Sequence, residues 1–259
     1  LAVFLLRLPT FYQHIIDIDE TAFSEFASII LSGGIPYVDA VDNKPPLTYY
    51  FFYIVYAITG LKSLIPVHIV TTFWVIITGL GVYFFGYKLS DNKTGLISAL
   101  LFILMMHTYE PKYISTNGET LINFFLVISA YIFIFRNSTG KSNFFLHVVS
   151  GILLGLAVMT NYKAGVLAIA FVIHSLVTGP FLSHNRLAAV KENFVKLTIT
   201  GLSSFIPVAA FAVFFKYQGN LDEALFWGFL YNFGYIESGK GAFSSLKIIW
   251  RTGYFILLT

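Results

Sequence analysis

Apolar runs separated by polar breaks recur along the chain, at residues 1–9, 46–61, 64–87, 94–109, 119–135, 143–160, 163–179, 194–215 and 246–259. Most approach the ~20 residues that cross a bilayer as a helix. They lack the alternating ten-residue rhythm of barrel strands. The pattern predicts an all-α, polytopic helical membrane protein, in which each span satisfies its own backbone polar groups. The run 46–61 stands apart: it is short for a span, and Tyr49, Tyr50, Tyr53 and Tyr56 suit the membrane–water interface. Between the first two runs lies a long acidic stretch, DIDETAFSEFASIILSGGIPYVDAVDNKPPL, residues 17–47. Within it, Phe23, Phe26, Ala27, Ile30 and Leu31 fall on one face of a helix over 20–32, stopped by Gly33-Gly34.

Composition agrees with the pattern. The 259 residues are 57% hydrophobic and 11% charged, against roughly 25% charged in a soluble domain. A net charge of +3 is too small to imply a nucleic-acid partner. There is no cysteine, which removes disulfide and thiol chemistry. The chain opens at Leu1 within one apolar run and closes within another, as expected of part of a longer protein.

The distribution of charge orients the spans. If 46–61 does not cross, the loops at 88–93, 136–141 and 186–196 share one side. They carry seven basic residues (Lys88, Lys93, Arg136, Lys141, Arg186, Lys191, Lys196) and two acids, Asp91 and Glu192; the other eleven acids fall opposite. The positive-inside rule makes the basic side cytoplasmic. The expected organisation is one transmembrane domain over 1–259. Residues 1–9 end a first span, and 10–63 form an outer loop with juxtamembrane helices, 46–61 being interfacial or re-entrant. Residues 64–215 make six spans, 216–245 an outer interfacial segment, and 246–259 the start of a further span. In the outer segment, Phe226, Trp227, Phe229, Tyr231, Phe233 and Tyr235 read as a membrane-interface belt. The sequons at Asn92 and Asn137 fall inside and carry no weight.

Chemistry concentrates on the acidic side. Asp19 and Glu20 start the 20–32 helix; Asp17-Ile-Asp-Glu20 fits an Asx capping pattern, and a carboxylate there also suits proton abstraction from a hydroxyl. Asp17 can cap while Asp19 works. Lys44, ahead of Pro45-Pro46, is held near the headgroup level either as a snorkelling lysine or as a grip on a phosphate. Asp39 and Asp42 read as solvated loop acids, or as help for a metal or sugar. Glu119 favours a helix N-terminus and could face the same site; Lys163 lies at the outer end of a hairpin. The His107-x-x-Glu110 spacing has no partner motif. His68, His147 and His174 read as packed within spans, and Gly151-x-x-x-Gly155 as a close-packing motif.

These residues resemble the GT-C glycosyltransferases, and more closely the branch of the protein O-mannosyltransferases and the aminoarabinose transferases of lipid A. The resemblance rests on Asp19-Glu20, Gly33-Gly34-Ile-Pro-Tyr37, Asp42-Asn-Lys44-Pro45-Pro46-Leu47, Glu119 and Gly155-Leu-Ala-Val-Met-Thr-Asn-Tyr-Lys163, and covers about residues 1–180. It implies inverting transfer of a sugar from a polyprenyl-phosphate donor to a lipid, glycan or protein acceptor. The abundance of Ile, Phe, Asn and Lys with no Cys suggests a bacterial chain, so the expected location is a bacterial inner (cytoplasmic) membrane, with the active site facing the periplasm or exterior. By the same resemblance, Asp19, Glu20 and Glu119 are the catalytic acids, and Lys44 and Lys163 contact the donor phosphate. A divalent metal is possible, but Asn43 stands where the aminoarabinose branch has an acid. Two other readings compete: a transporter or flippase of lipid-linked sugar, which should carry charge near the bilayer midplane, and a non-catalytic membrane subunit. Convergence of Asp19, Lys44 and Glu119 on one outward cavity separates the enzyme from the subunit.

Overall fold

The computed structural model describes residues 2–60, 62–107, 114–136, 141–182 and 186–232. These form helices α1 (Ala2–Leu6), α2 (Ile18–Leu31), α3 (Leu47–Thr59), α4 (Leu64–Leu89), α5 (Asn92–Met105), α6 (Gly118–Phe135), α7 (Lys141–Thr160), α8 (Gly165–Leu182), α9 (Arg186–Gln218) and α10 (Leu221–Leu225). Short 3₁₀ turns follow α1 and α7, and a π-helical turn, Phe226–Leu230, follows α10. No strand occurs among the described residues. The protein is an all-α polytopic membrane protein. Four helices (α4, α6, α7 from Asn143, and α9) are long and apolar enough to cross a bilayer, and α5 and α8 supply shorter apolar helices. Glu110, the sequon Asn137, Phe233, Tyr235, the run 246–259 and most of the 136–141 loop lie outside the described residues.

Capping residues set where these helices begin. Asp17, Ser63, Asp91 and Asn117 accept from the backbone N–H groups of Asp19, Ile65, Thr94 and Thr120 at 3.2, 3.4, 2.8 and 2.8 Å. Each satisfies one of the orphan amides of a helix start. Helix α2 ends at Leu31, just before Gly33, whose φ of +89° suits only glycine well. Helix α3 is 13 residues long, about 20 Å, well short of a bilayer core of about 30 Å. It lies against α2, with Tyr49 stacked on Phe26 at 3.9 Å between ring centroids.

The bundle puts apolar side chains outside and small polar ones inside. Phe73, Phe84, Leu101, Ile173, Phe205 and Val213 are exposed, as suits a surface in contact with acyl chains. Ser129 and Ser150 are fully buried, and each hydroxyl donates to the other's carbonyl at 2.9 Å, tying α6 to α7. Helices α7 and α9 meet closely where Gly151 and Gly155 face the backbone of Thr200 and Ser204. A Cβ at either glycine would collide with those carbonyls. Helix α9 begins at Arg186, eight positions before the apolar run. Its polar first turns stay helical, with Lys196 and Glu192 paired at 3.2 Å one turn apart.

Long-range contacts gather the acidic segments at one end of the bundle. The Thr71 hydroxyl on α4 meets that of Thr116 at 2.9 Å, Thr48 on α3 donates to the Thr160 carbonyl at 2.9 Å, and the Asn220 amide donates to the Pro36 carbonyl at 2.6 Å.

Candidate active site

The gathered end holds a cleft of about 120 Å3. Asp19 from the first turn of α2, Lys44 from the loop before α3, Glu119 from the first turn of α6 and Lys163 from the turn after α7 all line it. Phe23, Thr48, Gly118, Thr160, Asn161 and Tyr162 complete the wall. Four charged side chains from four separate stretches of sequence therefore share one cavity, and their formal charges cancel.

The cations differ in their partners. Lys163 donates to Glu119 Oε1 at 2.6 Å, with 63% and 38% of the two side chains exposed. So exposed a pair contributes at most about 1 kcal/mol, and an incoming anion can displace the carboxylate. Lys44 forms no ion pair among the described residues. Its main chain is fixed instead: the Lys44 carbonyl accepts from Tyr37 Oη at 2.8 Å and lies 3.5 Å from Tyr49 Oη. Burial pushes both phenols well above the ordinary tyrosine range, and the Asp42 charge adds to it, so both remain donors. Tyr37 is buried with φ +64°, a strained backbone for a bulky residue. Asp39 and Asp42 are used locally, accepting the N–H groups of Ile35 at 2.7 Å and Asn43 at 2.6 Å.

Glu20 lies elsewhere. It is completely buried and does not line the cleft. Its Oε1 is 3.0 Å from His68 Nε2 and also accepts the Thr116 N–H, while Oε2 accepts from Ile16 N at 3.4 Å. His68 Nδ1 is 2.6 Å from the Thr10 carbonyl. A carbonyl only accepts, so Nδ1 carries a proton. The contact between Nε2 and Glu20 then requires one more proton, held on either partner. Buried Arg7 reaches Thr72 Oγ1 at 3.0 Å, and the Glu20 charge acts on it. Glu20 thus connects α2, α4 and the strand of chain entering α6, directly behind Asp19 and Glu119. Sequence signalled neither Arg7 nor this use of Glu20. Thr48 and Asn161 also escaped notice, although Asn161 stands in the quoted Thr-Asn-Tyr-Lys string, where it caps the turn through Lys163 N at 3.1 Å.

A family model described as dolichyl-phosphate-mannose-protein mannosyltransferase matches residues 43–211, well over half of the chain. The chain belongs to this family. The protein is accordingly a membrane glycosyltransferase, and the match begins one residue before Lys44 and includes Glu119 and Lys163. Neither a comparison with curated proteins nor one with solved structures gave a match. No group of three His, Cys, Asp or Glu side chains suited to a metal occurs among the described residues of this glycosyltransferase. Asp19 and Glu119 are the carboxylates that line its cleft.

Proposed function

We propose that the protein transfers a sugar from a polyprenyl-phosphate donor to an acceptor hydroxyl at the outer face of the membrane, with inversion at the anomeric carbon. The observation that carries the reading is the shared cleft of Asp19, Lys44, Glu119 and Lys163. A phosphate ester leaves without help from a strong acid, so the reaction needs a base at the acceptor and cations where negative charge develops. Asp19 takes the acceptor proton as the hydroxyl oxygen bonds to the anomeric carbon. The bond from that carbon to the phosphate oxygen breaks, and polyprenyl phosphate leaves with the electron pair. Lys44 and Lys163 stabilise the departing phosphate, Lys163 exchanging Glu119 for it. Glu119 then faces the acceptor as the second carboxylate. Glu20 acts as a positioning residue behind them, and no step is routed through a metal.

The proposed orientation rests on charge. With the cleft end outside, basic loops face the cytoplasm of a bacterial inner membrane, and α3 lies at the outer interface. The acceptor is a lipid, glycan or protein hydroxyl. A transporter would keep its charges at mid-bilayer, whereas the cleft charges here stand at helix termini. The test is transfer of radiolabelled sugar from polyprenyl-phosphate donors by membranes carrying the full-length protein, wild type beside Asp19→Asn. Loss of transfer with normal folding supports the base. Unchanged transfer removes Asp19 from the chemistry, and no transfer by wild type across donors and acceptors overturns the reading.

A further inference from the structure

The two lysines of the cleft come from segments that never touch in sequence, yet one side chain bridges them. Asn232, just past the π-helical turn, donates from Nδ2 to the Asn43 carbonyl at 2.8 Å, and its Oδ1 is 3.0 Å from Tyr162 Oη. Asn43 precedes Lys44, and Tyr162 precedes Lys163. The network fixes the amide orientation. The Asn43 carbonyl can only accept, so the NH2 group must face it, leaving Oδ1 to accept from the phenol. Burial raises the Tyr162 phenol above its ordinary range and keeps it protonated for that bond. The segment that delivers Asn232 is itself anchored. Asn220 donates to Pro36, and Gly228 lets the chain approach Tyr37, where a Cβ would come within 3.3 Å of Oη.

We infer that Asn232 is a positioning residue for donor binding: one carboxamide sets the separation of Lys44 and Lys163, and so the fit of the cleft to the donor phosphate. The inference rests on the reading of those lysines under Proposed function. The bridge does not touch the acceptor-side carboxylate, Asp19, so its loss acts on donor affinity rather than on the chemical step. Removing one hydrogen bond of this kind corresponds to about a five- to tenfold loss.

The test uses full-length protein reconstituted in nanodiscs. Donor KM and kcat for sugar transfer are measured for wild type, Asn232→Ala, Tyr162→Phe and the double variant, together with affinity for a polyprenyl monophosphate as a non-reacting probe. The expected result is a donor KM raised about five- to tenfold with kcat within about twofold of wild type, a parallel loss of probe affinity, and a double variant no worse than the worse single one. Wild-type transfer with variants that keep donor KM, or that lose kcat alone, overturns the role of Asn232 while leaving the transferase reading intact. A wild type that neither transfers sugar nor binds the probe overturns the reading beneath it. A variant that fails to insert is replaced by Tyr162→Phe, which removes one oxygen and leaves the anchored backbone unchanged.

Discussion

Glu20→Ala separates a structural carboxylate from a reacting one. In the wild type, Glu20 accepts from the Thr116 N–H and shares a proton with His68, and all three residues are completely buried. Truncation leaves the Thr116 amide and His68 Nε2 unpaired and removes the negative charge that acts on buried Arg7 without pairing with it. Breaking a buried charge pair from one side costs about 3–5 kcal/mol. Glu20→Gln is milder. Its single carbonyl oxygen can accept from Thr116, but it no longer offsets the charge of Arg7 or a protonated His68, so a loss of about 1–3 kcal/mol is expected. Reversible unfolding in detergent should therefore rank the proteins wild type, Gln, Ala. Activity should fall in the same order, because Asp19 and the Thr116–Glu119 segment are both held by this side chain. Two outcomes refute the reasoning: Glu20→Ala with wild-type stability, or Glu20→Gln with wild-type stability and no transfer, which would put Glu20 in the chemistry.

Two further predictions concern packing and pH. Gly155→Ala should destabilise the α7–α9 contact by about 1–3 kcal/mol, because the new Cβ meets the Ser204 carbonyl; Gly201→Ala, with open space at its position inside α9, is the control in the same thermal-unfolding assay and should be neutral to stabilising, by up to about 1 kcal/mol. Tyr37 has a folded-state pKa raised by burial, so its contribution to stability is intact below the ordinary tyrosine value of about 10 and is lost as pH rises towards the folded value. Over that window the unfolded state has released the proton and the folded state has not. Unfolding free energy should fall by about 1.4 kcal/mol per pH unit for this phenol, and Tyr37→Phe should flatten the alkaline slope.

The hydrophobic pattern carries the fold class, because a helix that crosses a bilayer needs about 20 predominantly apolar residues in a row. It also marks the start of α4 at Leu64 and the stop of α2 before Gly33. It misses the start of α9, since the turns around Lys191 and Lys196 are held by hydrogen bonds and a one-turn ion pair rather than by apolar contact. Within the site, the charged residues stand out in sequence because charge is scarce in such a chain; Asp19, Lys44, Glu119 and Lys163 all line the cleft. The difference between Asp19 and its neighbour is not visible there, because one position along a helix turns a side chain by about 100°, from the cleft to the interior beside His68. Asn232 and Thr48 carry no local signal at all. Their partners are 189 and 112 positions away, and ordinary polar residues acquire meaning only from that distance.

Those separations also order the assembly of the molecule during synthesis. Glu20 meets His68 across 48 positions and Thr116 across 96, so the early helices can neutralise their buried charge among themselves while later ones are still being made. The bond between Asn232 and Asn43 waits for 189. At ~5–20 residues per second, that is on the order of ten to forty seconds of translation. Both lysine-bearing edges exist only over the last 70 of those positions, from Tyr162 to Asn232, and for that stretch the cleft stands unlatched. The first half of the protein thus settles its electrostatics at once and receives the clasp of its cleft from the last described turn to emerge.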